Sequence, residues 1–106
     1  MNDPMKLEIL HVPECPNLSP MLQRLAEVTD LPIVTRLIET DADADRYGMA
    51  GSPTLLINGT DPFAAEGDCR CGLSCRLYRD ESGRIVPAPS LDQLRTAITA
   101  ADHTDV

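Results

Sequence analysis

The chain has no tryptophan and only three aromatic residues, Tyr47, Phe63 and Tyr78. Three rings are too few for the stacked platforms that hold single-stranded nucleic acid. Positive charge is scarce as well. Nine Lys and Arg stand against 17 Asp and Glu, and the resulting formal charge of −8 repels phosphate backbones. Nucleic-acid partners are therefore not expected. No apolar run approaches the roughly 20 residues needed to cross a bilayer, so no membrane span is expected. Met1 to Lys6 lacks the basic patch and apolar stretch of an export signal, which predicts a cytoplasmic location. No glycine-rich phosphate loop and no Ser/His/Asp set is apparent.

What is present suits one globular unit. The 106 residues fit a single domain over 1–106, and 42% apolar residues with 6 Gly can build one core without staples. Four cysteines stand out: Cys15, Cys69, Cys71 and Cys75. In a reducing cytosol such residues are more often catalytic or metal-binding than structural. Fully oxidised, four cysteines allow three connectivities, and spacing does not choose among them.

Closely packed apolar residues over Lys6–Val12 predict a largely buried strand, ended by Pro13. Leu18, Met21, Leu22, Leu25 and Val28 follow the i, i+3, i+4, i+7 spacing of one helix face. The start of that helix is open: either Cys15-Pro16 or Ser19-Pro20 can supply the cap and first position. β-Branched Pro32–Ile38 reads as a second strand. Thr40–Tyr47 reads as a short helix with a Thr cap, an acidic first turn and Gly48 at its end. Leu55-Leu56-Ile57 is a brief strand, Asn58-Gly59 a turn, and 60–72 a long loop. Alternation over Cys75–Arg79 predicts a fourth strand, followed by a turn at Glu81-Ser82-Gly83. Ser90-Leu91-Asp92-Gln93 is a capping box for a last helix, which is expected to fray from Asp102. The order β-α-β-α-β-β-α predicts an α/β sandwich whose mixed four-stranded sheet has a parallel first pair and an antiparallel last pair.

Cys15 sits where a strand gives way to a helix. There, unpaired backbone N–H groups and the helix dipole favour the thiolate, which is the nucleophile of thiol–disulfide exchange and a ligand for soft metals. His11, four residues earlier, is a candidate to assist proton transfer at the sulfur, although a strand histidine can also face away. Cys69, Cys71 and Cys75 place three thiols within seven residues. They could hold a soft ion such as Zn(II), Cu(I) or Hg(II), form a disulfide within the loop, or remain free. The second ligand pair of a structural zinc site is missing. Asp41-Ala42-Asp43-Ala44-Asp45 has the opening spacing of a calcium loop, but Arg46 and Ser52 stand where Gly and Glu are needed.

The element order, the Cys15-Pro16 pair after the first strand and Gly51-Ser52-Pro53-Thr54 before the third together resemble the thioredoxin/glutaredoxin superfamily. Cys15-Pro16-Asn17, Asn58-Gly59-Thr60-Asp61-Pro62-Phe63 and Cys75-Arg76-Leu77-Tyr78 are similar to a group of short bacterial thioredoxin-like proteins, some labelled alkylmercury lyases. The resemblance runs from Lys6 to Ala101 and implies a thioredoxin-like fold. It also implies a cis Pro53 lying against Cys15, and a substrate groove formed by Pro16, Ser52 and Thr54. The superfamily's dithiol motif has a second cysteine three residues after the first, and Leu18 stands there. The resemblance thus implies a monothiol oxidoreductase. Its partner would be a low-molecular-weight thiol such as glutathione or mycothiol, a protein disulfide, or a resolving cysteine among 69, 71 and 75. No resident cofactor is implied. Two other readings stand beside this one: a soft-metal or mercurial-binding protein using Cys69, Cys71 and Cys75, and a scaffold without redox activity.

Overall fold

The computed structural model describes residues 5–63, 72–75, 78–86 and 88–103, with backbone alone at 72–75 and 102–103. The elements in chain order are β1 (Leu7–His11), α1 (Leu18–Val28), β2 (Ile33–Leu37), α2 (Asp41–Tyr47), β3 (Ala50–Ser52), β4 (Thr54–Ile57), β5 (Gly72–Cys75), β6 (Tyr78–Arg79), β7 (Ile85–Val86) and α3 (Leu91–His103). β1 lies at the centre of a mixed three-stranded sheet ordered β2-β1-β4. It runs parallel to β2, with Leu7 level with Ile33, and antiparallel to β4, with Leu7 level with Ile57. The parallel pair is joined through α1, as a strand–helix–strand crossover requires.

Side chains alternate across a strand, so the apolar run in β1 serves two faces. Leu7 and Ile9 join Leu55 and Ile57 of β4, Met21 and Leu25 of α1, and Leu94 of α3 in one cluster. Leu10 and Leu56 point the other way and pack with Ala44 of α2, Ile38 and Met49. Helices therefore cover both faces of the sheet, a mixed α/β architecture.

Local signals set the helix ends. The cap of α1 is Asn17, not Cys15 or Ser19, and it makes no side-chain capping bond. The Leu18 N–H instead reaches the Cys15 carbonyl at 3.3 Å, closing a turn ahead of the helix. Pro20 falls at the third helical position, where its missing N–H has no intrahelical partner to lose. Thr40 caps α2, its hydroxyl accepting the Asp43 N–H at 3.1 Å, and Gly48 ends it at φ +82°. The calcium-loop spacing at Asp41–Asp45 is thus the first part of a helix. At α3 the capping box is reciprocal. The Gln93 N–H donates to Ser90 Oγ at 3.1 Å, and the Ser90 N–H donates to Gln93 Oε1 at 2.9 Å. This helix runs on to His103, past the fraying expected at Asp102.

The sheet departs from expectation. The expected strand Cys75–Arg79 lies partly outside the described residues: β5 is described as far as Cys75 and β6 from Tyr78. β5 pairs parallel with β3, and β6 pairs antiparallel with β7, so among the described residues two two-stranded ribbons accompany the three-stranded sheet and no fourth strand extends it. Alternation assigns faces to a strand but does not choose its neighbour. The neighbour of β6 is chosen by the turn at Asp80–Gly83, where Asp80 Oδ1 accepts the N–H groups of Ser82 and Arg84.

Candidate functional site

The site is built where β1 ends. After His11 and Val12 the chain turns, with Glu14 in the left-handed region at φ +57°, and presents Cys15 ahead of α1. Cys15 is a free, half-buried thiol flanked by exposed Glu14 and Pro16. Among the described residues nothing hydrogen-bonds its Sγ. His11 is half-buried, and its Nδ1 lies 3.0 Å from the Val12 carbonyl oxygen. A carbonyl only accepts, so this contact places the proton on Nδ1 and leaves Nε2 with the lone pair in the neutral ring.

Facing this turn is the segment Gly51–Thr54, with a cis peptide bond between Ser52 and Pro53. Ser52, Pro53 and Thr54 are all buried, and each is tied by a separate polar bond. Ser52 Oγ accepts the Val12 N–H at 3.0 Å, which joins the segment to the turn bearing Cys15. Thr54 Oγ1 donates to the Gly51 carbonyl at 2.6 Å, across the proline itself. The Tyr78 hydroxyl donates to the Pro53 carbonyl, and the Tyr78 ring meets Phe63 edge-on at 5.6 Å between centroids. No buried side-chain nitrogen or oxygen lacks a partner among the described residues.

His11, Cys15, Pro16, Ser52, Pro53 and Thr54 thus belong to two segments joined by the Ser52–Val12 bond. Inside them the roles differ. Cys15, His11 and Pro16 reach the surface, whereas the Ser52 and Thr54 hydroxyls are engaged within the chain and hold backbone in place. Cys75 ends β5, and its backbone is level with Ser52 in the parallel pairing with β3. The expected strand begins at Cys75 and runs antiparallel to the one after Pro53; the structure instead has Cys75 in β5, parallel to β3. Cys69 and Cys71 lie outside the described residues, and the metal reading that needs both lies there with them. Among the described residues no group of three or more His, Cys, Asp or Glu gathers as a metal site.

From the sequence, Tyr78 is either a half-buried strand tyrosine or a residue that hydrogen-bonds near the site; the structure shows it buried and donating to the Pro53 carbonyl. A separate groove of about 780 Å³ lies between the Asn58–Phe63 turn and α3, lined by Ile57, Pro62, Phe63, Ala97 and Ala101 among others. No part of the Cys15 or Pro53 segments lines it. No family model, curated protein or solved structure matches this chain.

Proposed function

We propose that the chain is a cytoplasmic thiol–disulfide redox protein of thioredoxin-like build, with Cys15 as the attacking thiol. The observation that carries this is a free, partly open cysteine on the β1–α1 turn, a turn whose Val12 N–H donates to Ser52 Oγ beside the cis Ser52–Pro53 bond. The parallel β1–β2 pair joined through α1, with β4 antiparallel on the other side of β1, supports the fold resemblance.

In this reading the Cys15 thiolate attacks one sulfur of a disulfide R–S–S–R. A Cys15–S–S–R bond forms, the R–S–S–R bond breaks, and the leaving thiolate takes up a proton. His11 Nε2, four residues before Cys15, is the candidate to accept the thiol proton beforehand. Pro16 borders the approach to the sulfur, and Ser52 and Thr54 hold the Pro53 backbone that forms the opposite wall. A low-molecular-weight thiol such as glutathione or mycothiol, or a protein thiol, completes the turnover.

The test is a thiol-reactivity profile of the folded chain at neutral pH, together with turnover of a glutathione mixed disulfide. Cys15 should alkylate fastest of the four cysteines, and Cys15→Ser should abolish turnover. A Cys15 that labels no faster than in the unfolded chain ends this reading. Stoichiometric uptake of a soft metal, lost in a Cys69→Ser/Cys71→Ser variant, would favour the metal-binding alternative at Cys69, Cys71 and Cys75 instead.

A further inference from the structure

We infer that Cys75 is the resolving thiol for Cys15, an inference that rests on the redox reading above and names the partner that the missing second cysteine at Leu18 leaves open. Two observations carry it. β5 runs parallel to β3 with Cys75 level with Ser52, and Ser52 Oγ holds the Val12 N–H on the turn that bears Cys15. From Cys75 to that turn there is one strand-to-strand step and one hydrogen bond. Neighbouring strands lie about 4.8 Å apart, and a disulfide needs Cα atoms within about 7 Å, so the inferred bridge requires the turn after Val12 to carry Cys15 back over the Ser52–Cys75 pair. Direction decides the assignment. With β5 reversed, Gly72 would stand level with Ser52, and Cys75 would be displaced by about 10 Å along the strand. The parallel pairing brings the cysteine end of β5 to the Pro53 junction instead.

The step balances with an external disulfide as oxidant. Cys15 is first converted to Cys15–S–S–R with release of one R–SH. The Cys75 thiolate then attacks the Cys15 sulfur, forming a Cys15–Cys75 disulfide and breaking the Cys15–S–R bond, and the second thiol leaves as R–S⁻ and is protonated. The net change is one protein dithiol oxidised and one R–S–S–R reduced to two R–SH. Two low-molecular-weight thiols reverse it.

The experiment treats the reduced full-length chain with oxidised glutathione, quenches with acid and alkylating agent, and maps disulfides by mass spectrometry without reduction. The expected product is a Cys15–Cys75 linkage in the wild-type chain. In Cys75→Ser and Cys75→Ala, that linkage should be lost and glutathione should remain on Cys15, with both variants checked for wild-type circular dichroism. In Cys69→Ser and Cys71→Ser, the linkage should persist. A linkage from Cys15 to Cys69 or Cys71, a lasting glutathione adduct on wild-type Cys15, or wild-type resolution in both Cys75 variants overturns the inference and leaves Cys15 as the attacking thiol. Absence of any glutathione or disulfide on Cys15 overturns the redox reading itself.

Discussion

Buried polar residues in this protein hold backbone where side chains alone would leave it unsupported. Ser52, Pro53 and Thr54 have almost no exposed surface, yet Val12 N–H, Gly51 C=O and Pro53 C=O are each paired within that small region. A buried group left without its partner costs about 1–3 kcal/mol, so these bonds favour a single geometry for the segment bonded to the turn that bears Cys15. A second residue-scale case is open to titration. Asp80 Oδ1 accepts the hydroxyl and N–H of Ser82 and the N–H of Arg84. The Ser82 hydroxyl first, and then the Arg84 N–H, hold this carboxyl below the usual carboxylate range. A depressed folded-state value stabilises above the unfolded pKa of about 3.9, and the benefit is lost as pH falls through the folded value. Asp80→Asn should therefore lower the thermal midpoint near neutral pH, with the gap to wild type closing in acid. A gap of constant size across the pH series would show that the charge of Asp80 plays no part.

The helices depend on signals a few residues apart, and α3 shows how one such signal reaches further. Its capping box pairs Ser90 and Gln93 reciprocally, while Gln93 Nε2 also donates to the Arg79 carbonyl at 2.6 Å and so ties the helix start to β6. Ser90→Ala should destabilise by about 0.5–2 kcal/mol in urea titration. Gln93→Ala should do likewise and in addition speed hydrogen exchange in the β6–β7 ribbon, by more than Ser90→Ala, which toward the ribbon breaks only the exposed bond from Ser90 Oγ to Glu81 in its turn. The two substitutions should combine to less than their sum, because each already breaks the shared pair.

All three helices were legible in the sequence because stripes such as Leu18, Met21, Leu22 and Leu25, and caps such as Thr40 and Ser90, act within one or two turns. The short strands were not. β3 contains Gly51 and Ser52, both poor strand formers, and β6 and β7 are two residues each. What makes β3 a strand is a partner distant in sequence, Gly72 beside Ala50, whereas β6 and β7 are brought together by the turn at Asp80–Gly83. Of the candidate site, Cys15, Pro16 and Pro53 were legible as chemistry at punctuated positions. The burial of Ser52 and Thr54 and the partner of Tyr78 were not, since burial and the Tyr78–Pro53 bond depend on how distant parts of the chain pack.

For the molecule as a whole, the central fact is that β1 serves two cores at once. Leu25 packs on one face of the sheet with Leu7 and Ile9, and Leu10 packs on the other with Ala44 and Met49. Leu25→Ala and Leu10→Ala should each destabilise by about 2–5 kcal/mol, a large share of the 5–15 kcal/mol of a typical domain. Chemical denaturation of the two variants checks this. A loss well under 1 kcal/mol at Leu10 would mean that the α2 face contributes little to the fold.

The sequence by itself determined the mixed α/β class, the three helices with their ends to within a few residues, and the location of one thiol at a strand-to-helix junction. These follow from hydrophobic period, capping chemistry and proline, all of which act locally along the chain. The tertiary structure decided the pairing: β5 parallel beside β3, β6 with β7 instead of with the central sheet, and Ser52 bonded to Val12. The β3–β5 pairing and the Ser52–Val12 bond join residues some 20 to 40 positions apart, and their energies depend on which backbone groups remain unpaired once the cores have packed.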